Sequence, residues 1–204
     1  MTQQQLEIYL RKIKRCKDFK YTIGNRKIGK DTLIFNMSTA RKCPAAKLGL
    51  CQLDDPDQCY ALKAEKFYPQ SYPFRQCQAR YWRNNTAETI ARAIRAALKN
   101  HKKVKYIRVN EAGDMTSAAC LEKIMQISAY VRGVVFYMYT ARRDLVTKKA
   151  LAIKPPNLII NGSGFMADNA FIIDGKTKYK CKMDCTTCTL CKTNGHKTIS
   201  VKKH

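Results

Sequence analysis

The chain has 204 residues, 45% of them hydrophobic, and carries 39 lysines and arginines against 15 aspartates and glutamates, a formal charge of +24. That is enough apolar material for one folded domain with its own core, which excludes a disordered or collagen-like chain. No stretch approaches the ~20 apolar residues of a membrane helix, and the opening segment holds no apolar run of signal-peptide length, so a cytoplasmic protein with reduced cysteines is expected.

Residues 1–30 form a basic N-terminal segment, predicted as a helix followed by a turn at Ile23, Gly24 and Asn25. The apolar run 33–37 predicts a buried strand. A cysteine-bearing loop follows, punctuated by Pro44, Gly49 and Pro56. A helix is predicted around residues 74–83, carrying Cys77 and the single tryptophan, Trp82.

Asn85 followed by Glu88 predicts a helix cap with an acid three residues on. Behind it Ile90, Ala91, Ile94, Ala97 and Leu98 recur at helical spacing, with Arg92, Arg95 and Lys99 off that stripe. Residues 104–109 predict a strand. Thr116 or Ser117 opens a helix with Leu121, Ile124, Met125, Ser128 and Val131 on one face. Residues 133–139 predict a strand, 143–153 a helix, and 157–160 a strand after Pro155 and Pro156.

Four strands alternating with helices predict an α/β core over residues 31–175, built on a mostly parallel sheet with right-handed crossovers. Residues 176–204 form a cysteine-rich tail packed on that core. In parallel sheets ligands sit beyond the carboxyl ends of the strands. Those ends carry residues 38–59, 110–114, 140–142 and 161–164, so the polar segments are expected on one rim.

Seven of the ten cysteines fall into two groups. Cys43, Cys51 and Cys59 recur every eighth residue in the first predicted rim loop. Three protein thiolates leave one iron of a four-iron cluster, or one zinc position, open to another ligand. The competing explanation is a set of buried free thiols. Cys181, Cys185, Cys188 and Cys191 form a C-x3-C-x2-C-x2-C run whose successive Cys-x2-Cys steps match iron–sulfur ligation, most simply one or two [4Fe-4S] clusters. A structural zinc is the rival, although zinc sites usually place a longer loop between two Cys-x2-Cys pairs.

Glu111, Gly113 and Asp114 lie at a strand end, where carboxylates can receive an amine or a ribose; turn chemistry and a helix cap explain the same residues equally well. Tyr137 and Tyr139, two residues apart, belong to one sheet face. Cys16, Cys77 and Cys120 stand apart from the groups as structural cysteines, and His196 is an outlying metal-ligand candidate, with His101 and His204 in polar surroundings. The positive charge admits nucleic acid as a partner, but no base-reading motif accompanies it. A zinc-bound nucleic-acid module and a redox or scaffold protein with a structural cluster therefore stand beside an enzyme.

The set Cys43-Pro44, Cys51, Cys59-Tyr60-Ala61, then residues 108–114, then 136–140, then the terminal run, resembles a family of bacteriophage proteins of the "gene product eighty-eight" type over residues 26–204. The resemblance implies a phage-encoded protein of the host cytoplasm. The layout is also similar to radical S-adenosylmethionine enzymes, with a strand, a three-cysteine loop and a Gly–acid strand end. That similarity implies a reduced, partial barrel, S-adenosylmethionine at Glu111, Gly113 and Asp114, and a nucleotide or nucleic acid as substrate. The Cys-x3-Cys-x2-Cys spacing of those enzymes occurs here at Cys181, Cys185 and Cys188.

Overall fold

The computed structural model of the chain describes residues 2–14, 16–25, 27–53 and 55–202. Helix α1 (Gln3–Lys14) leads to a two-residue strand β1 (Thr22–Ile23), which turns at Gly24 and pairs antiparallel with β2 (Thr32–Phe35). The remaining helices are α2 (Pro44–Lys47), α3 (Tyr60–Phe67), α4 (Ser71–Asn84), α5 (Ala87–Asn100), α6 (Ala118–Tyr130) and α7 (Lys148–Ile153). They alternate with β3 (Tyr106–Val109), β4 (Val135–Thr140) and β5 (Leu158–Ser163); β6 (Asn169–Ile173), β7 (Tyr179–Lys180) and β8 (Thr198–Val201) complete an open sheet.

Among the described residues the sheet has eight strands in the order β1-β2-β3-β4-β5-β6-β8-β7, and every pairing after the first is parallel. The expected mixed α/β class and parallel sheet are present. The four predicted strands are extended by four more, and the cysteine-rich tail supplies two of these, β7 and β8. Strands β1 and β7 have two residues each, too few for periodicity to mark, and β8 is a mixed Thr-Ile-Ser-Val with lysines on either side.

One sheet face is covered by helices. Leu33, Phe35, Ile107, Val109, Phe136, Met138, Leu158 and Ile160 pack against Trp82 of α4, Ile90 and Ile94 of α5, and Ile124 and Ile127 of α6. Burying each of these large side chains contributes on the order of 1.5–3 kcal/mol. The opposite face is lined by Tyr137, Ile159, Phe171 and Ile199, with Tyr106 and Tyr139 beside them, and the tail closes over it through Cys191 and Leu190.

Three local expectations are corrected. The cap of α5 is Thr86, whose hydroxyl accepts from Thr89 N at 3.2 Å, while Asn85 donates back to Tyr81 O at 2.9 Å. The helix expected over 143–153 begins only at Lys148, because Arg142 ties residues 140–144 into turns through Asp144 and Met115 O. Asn161, Gly162 and Ser163 belong to β5 rather than to a rim loop.

Gly162 has a packing reason within β5: a Cβ there would overlap Phe165, which folds back over the strand. That fold-back lets residues 164–168 return the chain for β6 to pair parallel with β5, Asn161 opposite Asn169. Asp168 secures the return, accepting from Ile160 N at 2.8 Å and pairing with buried Lys154 at 3.1 Å. A disulfide joins Cys16 to Cys77, so two cysteines expected to act separately tether the N-terminal segment to α4.

Candidate metal centre

The carboxyl rim of β2, β3 and β4 is held by side chains that bond across strands. Asn110 Oδ1 accepts from Met37 N at 3.0 Å, Asn36 Oδ1 from Ala112 N at 2.8 Å, and Ser38 Oγ donates to Asp114 O at 2.8 Å. Asp114 then reaches β4: its Oδ1 accepts from Thr140 Oγ1 and Met115 N, both at 2.7 Å, and its Oδ2 from Ala141 N at 2.8 Å. Gly113 has φ +70°, and a Cβ there would come within 2.7 Å of Thr39 O. The expected gathering of residues 38, 110–114 and 140–142 on one rim is present.

Asp114 and Glu111 nevertheless have different surroundings. Asp114 is buried and occupied by three donors. Glu111 turns away toward the β1–β2 turn, accepting from Asn25 Nδ2 at 2.6 Å, with Arg75 Nη2 at 3.7 Å. Burial pushes the Asp114 carboxyl up to about 6, against the hydrogen bonds from Thr140, Ala141 and Met115. Because the folded value exceeds the ordinary 3.8, the folded state holds this proton more tightly than the unfolded chain. Its contribution to stability is complete below the unfolded value and is lost as pH rises through about 6. Thermal melts of wild type and Asp114→Asn should therefore differ in slope between about pH 4 and 6, the wild type losing stability relative to the variant. Parallel profiles would remove Asp114 as the titrating group.

The loop 43–59 lies across this rim. Cys43 precedes α2, within electrostatic reach of Asp114 and Cys51, and burial pushes its thiol up to about 11. Gln52, beside Cys51, donates to Ser163 Oγ at 2.7 Å and Phe171 O at 2.9 Å, anchoring the loop to β5 and β6. Cys59 precedes α3, where the Tyr60 hydroxyl donates to Glu111 O at 2.6 Å and accepts from Arg108 Nη2 at 3.2 Å.

The terminal run takes a different place, under the sheet rather than on its rim. Leaving β7, Cys181 N donates to Ser200 O at 2.8 Å; Cys185 N then reaches Lys27 O, beside the opposite edge, at 2.9 Å. The chain returns beneath β4 and β5, where Cys191 is buried and its carbonyl accepts from Asn161 Nδ2 at 3.0 Å. Lys192 is also buried, with its ammonium 4.1 Å from the Tyr106 ring centre and donating to Cys185 O at 3.1 Å. The run is thus a strap across the tyrosine-lined face.

Arg108, on β3, projects into the same space. Its guanidinium lies 4.9 Å from the Tyr139 ring centre, and its Nε is buried without an acceptor. The Tyr137 hydroxyl is likewise buried without a hydrogen-bond partner; the neighbouring Thr32 hydroxyl donates instead to Asp31. Burial raises the Cys185 and Cys191 thiols, while Arg108 and Lys192 pull both down. Cys181 and Cys188 are partly buried and lie within electrostatic reach of Cys185 and Cys191 respectively. Burial also raises Tyr137 and Tyr139, so both are neutral phenols near neutral pH.

Among the described residues, no three cysteine, histidine or acidic side chains converge closely enough to hold a metal ion. The strap carries four soft thiols with two cations nearby, the donor type of a thiolate-bound centre without the convergence of three donors on one point. His196 is exposed, and His204 lies outside the described residues. In the sequence, Tyr60 and Arg108 stand out only as part of the family resemblance, with no role attached, and Lys192 does not stand out at all. The available signal was the shared period of Tyr106 and Arg108 with Tyr137 and Tyr139, which puts an arginine on a sheet face.

A family model described as gene product 88 matches residues 11–194. The chain belongs to the gene product 88 family. The matched span includes both cysteine groups, Arg108 and Asp114, so the strap and the rim both fall within the gene product 88 unit. No curated protein and no solved structure matches the chain. Among the described residues of this gene product 88 protein, no helix is long and apolar enough to cross a membrane.

Proposed function

We propose that this chain is an iron–sulfur protein whose terminal cysteines, Cys181, Cys185, Cys188 and Cys191, hold a cluster against the tyrosine-lined face of the sheet. The observation that carries the proposal is the pair of buried donors, Arg108 Nε and the Tyr137 hydroxyl, left without acceptors beside Cys185 and Cys191. Buried donors are rarely left unpaired, and sulfide and thiolate sulfurs are the acceptors missing here. Arg108 and Lys192 offset the negative charge that such a centre brings. A four-thiolate zinc site would offer thiolate sulfurs to the same donors, so the preference for a cluster over zinc rests on the successive Cys-x2-Cys steps of the run. When bound, a cluster supplies one-electron transfer at a potential set by hydrogen bonds to its sulfurs.

The fold supports a finer proposal. Strands β2 to β6 and β8 follow one another in chain order, and among the described residues the strap-side core holds no α-helix, which supports reading the open sheet as a reduced, partial barrel. A second centre is proposed on Cys43, Cys51 and Cys59, because the Cys43 thiol has Cys51 and Asp114 as neighbours and the loop spans the rim. S-adenosylmethionine-dependent chemistry on a nucleotide or nucleic acid rests on that second centre. Asp114, already accepting three hydrogen bonds, serves there as a rim support rather than an amine receiver.

Anaerobically purified protein is expected to be brown, with iron and acid-labile sulfide in near-equal amounts. Colourless protein carrying zinc overturns the cluster in favour of a zinc-bound module. Protein free of any metal after reconstitution with iron and sulfide overturns both.

A further inference from the structure

From Asp174 to Asp184 the chain alternates in exposure residue by residue. The less exposed positions are Gly175, Thr177, Tyr179, Cys181 and Met183, of which Tyr179 and Cys181 pack onto the tyrosine-lined cluster. The outward side carries Lys176, Lys178, Lys180 and Lys182, all exposed, with Asp174 and Asp184 at the two ends. Strand β7 lies at the centre of this row and at the outer edge of the sheet, paired on one side only, with β8.

Two residues of extended chain advance ~6.6 Å. Phosphates of a stacked nucleic-acid strand advance ~3.4 Å each along the axis. Where the chain runs extended through β7, lysines at every second residue match every second phosphate of one strand, and a single row on one edge suits one strand rather than two. Lysine is a flexible point charge, suited to following a backbone without reading bases.

We propose that the lysine row running through β7 and the residues flanking it is an interface for single-stranded nucleic acid, bound through its phosphates and without sequence preference. The surface leads directly into the terminal cysteine run, with Cys181 between Lys180 and Lys182. It stands independently of the cluster: phosphate binding here requires neither iron nor zinc.

The test is fluorescence anisotropy of a labelled oligothymidylate between ~50 and ~200 mM salt, a range over which phosphate contacts weaken steeply. The full chain is compared with K176Q/K178Q/K180Q/K182Q and with R92Q/K99Q/K102Q/K103Q, which removes the same charge from α5 and the turn after it. Wild type is expected to bind with a steep salt slope. The β7 variant should lose about 2.8 from the log–log slope, at about 0.7 per phosphate contact, and the α5 variant much less. K178Q/K182Q, losing about 1.4 on the same scale, serves if the quadruple variant fails to fold.

Three results overturn the proposal. One is a wild type that does not bind at ~50 mM salt. Another is equal losses in both quadruple variants, which assigns binding to the general positive field. The third is a β7 variant that binds as wild type but self-associates, which assigns the lysines to protecting an exposed sheet edge.

Discussion

Replacing Cys185 and Cys188 together with serine is expected to remove bound iron and to lower the melting temperature by about 10 °C. Metal binding to a structural site is folding free energy, because the unfolded chain does not hold the ligands in place. A loss of about 3 kcal/mol corresponds to ~6–12 °C for a domain of this size. The location of the two residues also matters. Cys185 N donates to Lys27 O, so loosening the strap frees a contact beside the far edge of the sheet and exposes part of the face lined by Tyr137 and Tyr139. Cys120→Ser is the comparison, since Cys120 lies at the start of α6, outside the strap. Unchanged iron and melting temperature in the double variant would take the terminal run out of the metal site.

Gly113→Ala is expected to destabilise the protein by about 3 kcal/mol, from two sources that add. An L-residue at φ +70° costs ~1–2 kcal/mol in the left-handed region. The new methyl also meets Ser38 Oγ and lies 2.7 Å from Thr39 O, in backbone that the rim hydrogen bonds hold in place. Overpacking of this kind typically costs ~1–3 kcal/mol. Gly49→Ala separates the two terms, because Gly49 has φ +64° and open space around its Cα. Urea unfolding should give the Gly49 variant only the conformational cost. Equal losses in the two variants would mean that the contact with residues 38 and 39 contributes nothing.

The sequence made the helix-covered half of this fold legible and left the other half obscure, for a physical reason. Strands β2, β3, β4 and β5 are apolar on the helix side, and the stripe Ile90, Ala91, Ile94 and Ala97 marks α5, so periodicity finds them. The strap-side face is mixed, with Arg108, tyrosines and cysteines in place of an aliphatic layer; β7 has only two residues, and β8 alternates two polar with two apolar residues without a longer run. The rim was readable as a place, since polar segments follow successive parallel strands. Its internal chemistry was not: Asp114 bonds to Thr140 and Ala141, 26 and 27 residues away, and spacing along the chain carries no trace of that. The same holds for Cys16 and Cys77, whose pairing spans 61 positions.

The strap has a consequence for the order of events during synthesis. Strand β8 inserts between β6 and β7, and Cys185 bonds to Lys27, so a late-made stretch completes contacts with one made far earlier in the chain. Contacts of such long sequence separation form slowly, because the intervening loop must close before they stabilise anything. The helix-covered face can assemble on the nascent chain, while the tyrosine-lined face stays uncovered until the strap has emerged. During that interval the face is both the most aggregation-prone part of the molecule and the most accessible to a delivered metal. Truncation shortly before Cys181 should therefore yield a chain that keeps its helical core yet is recovered largely as aggregate.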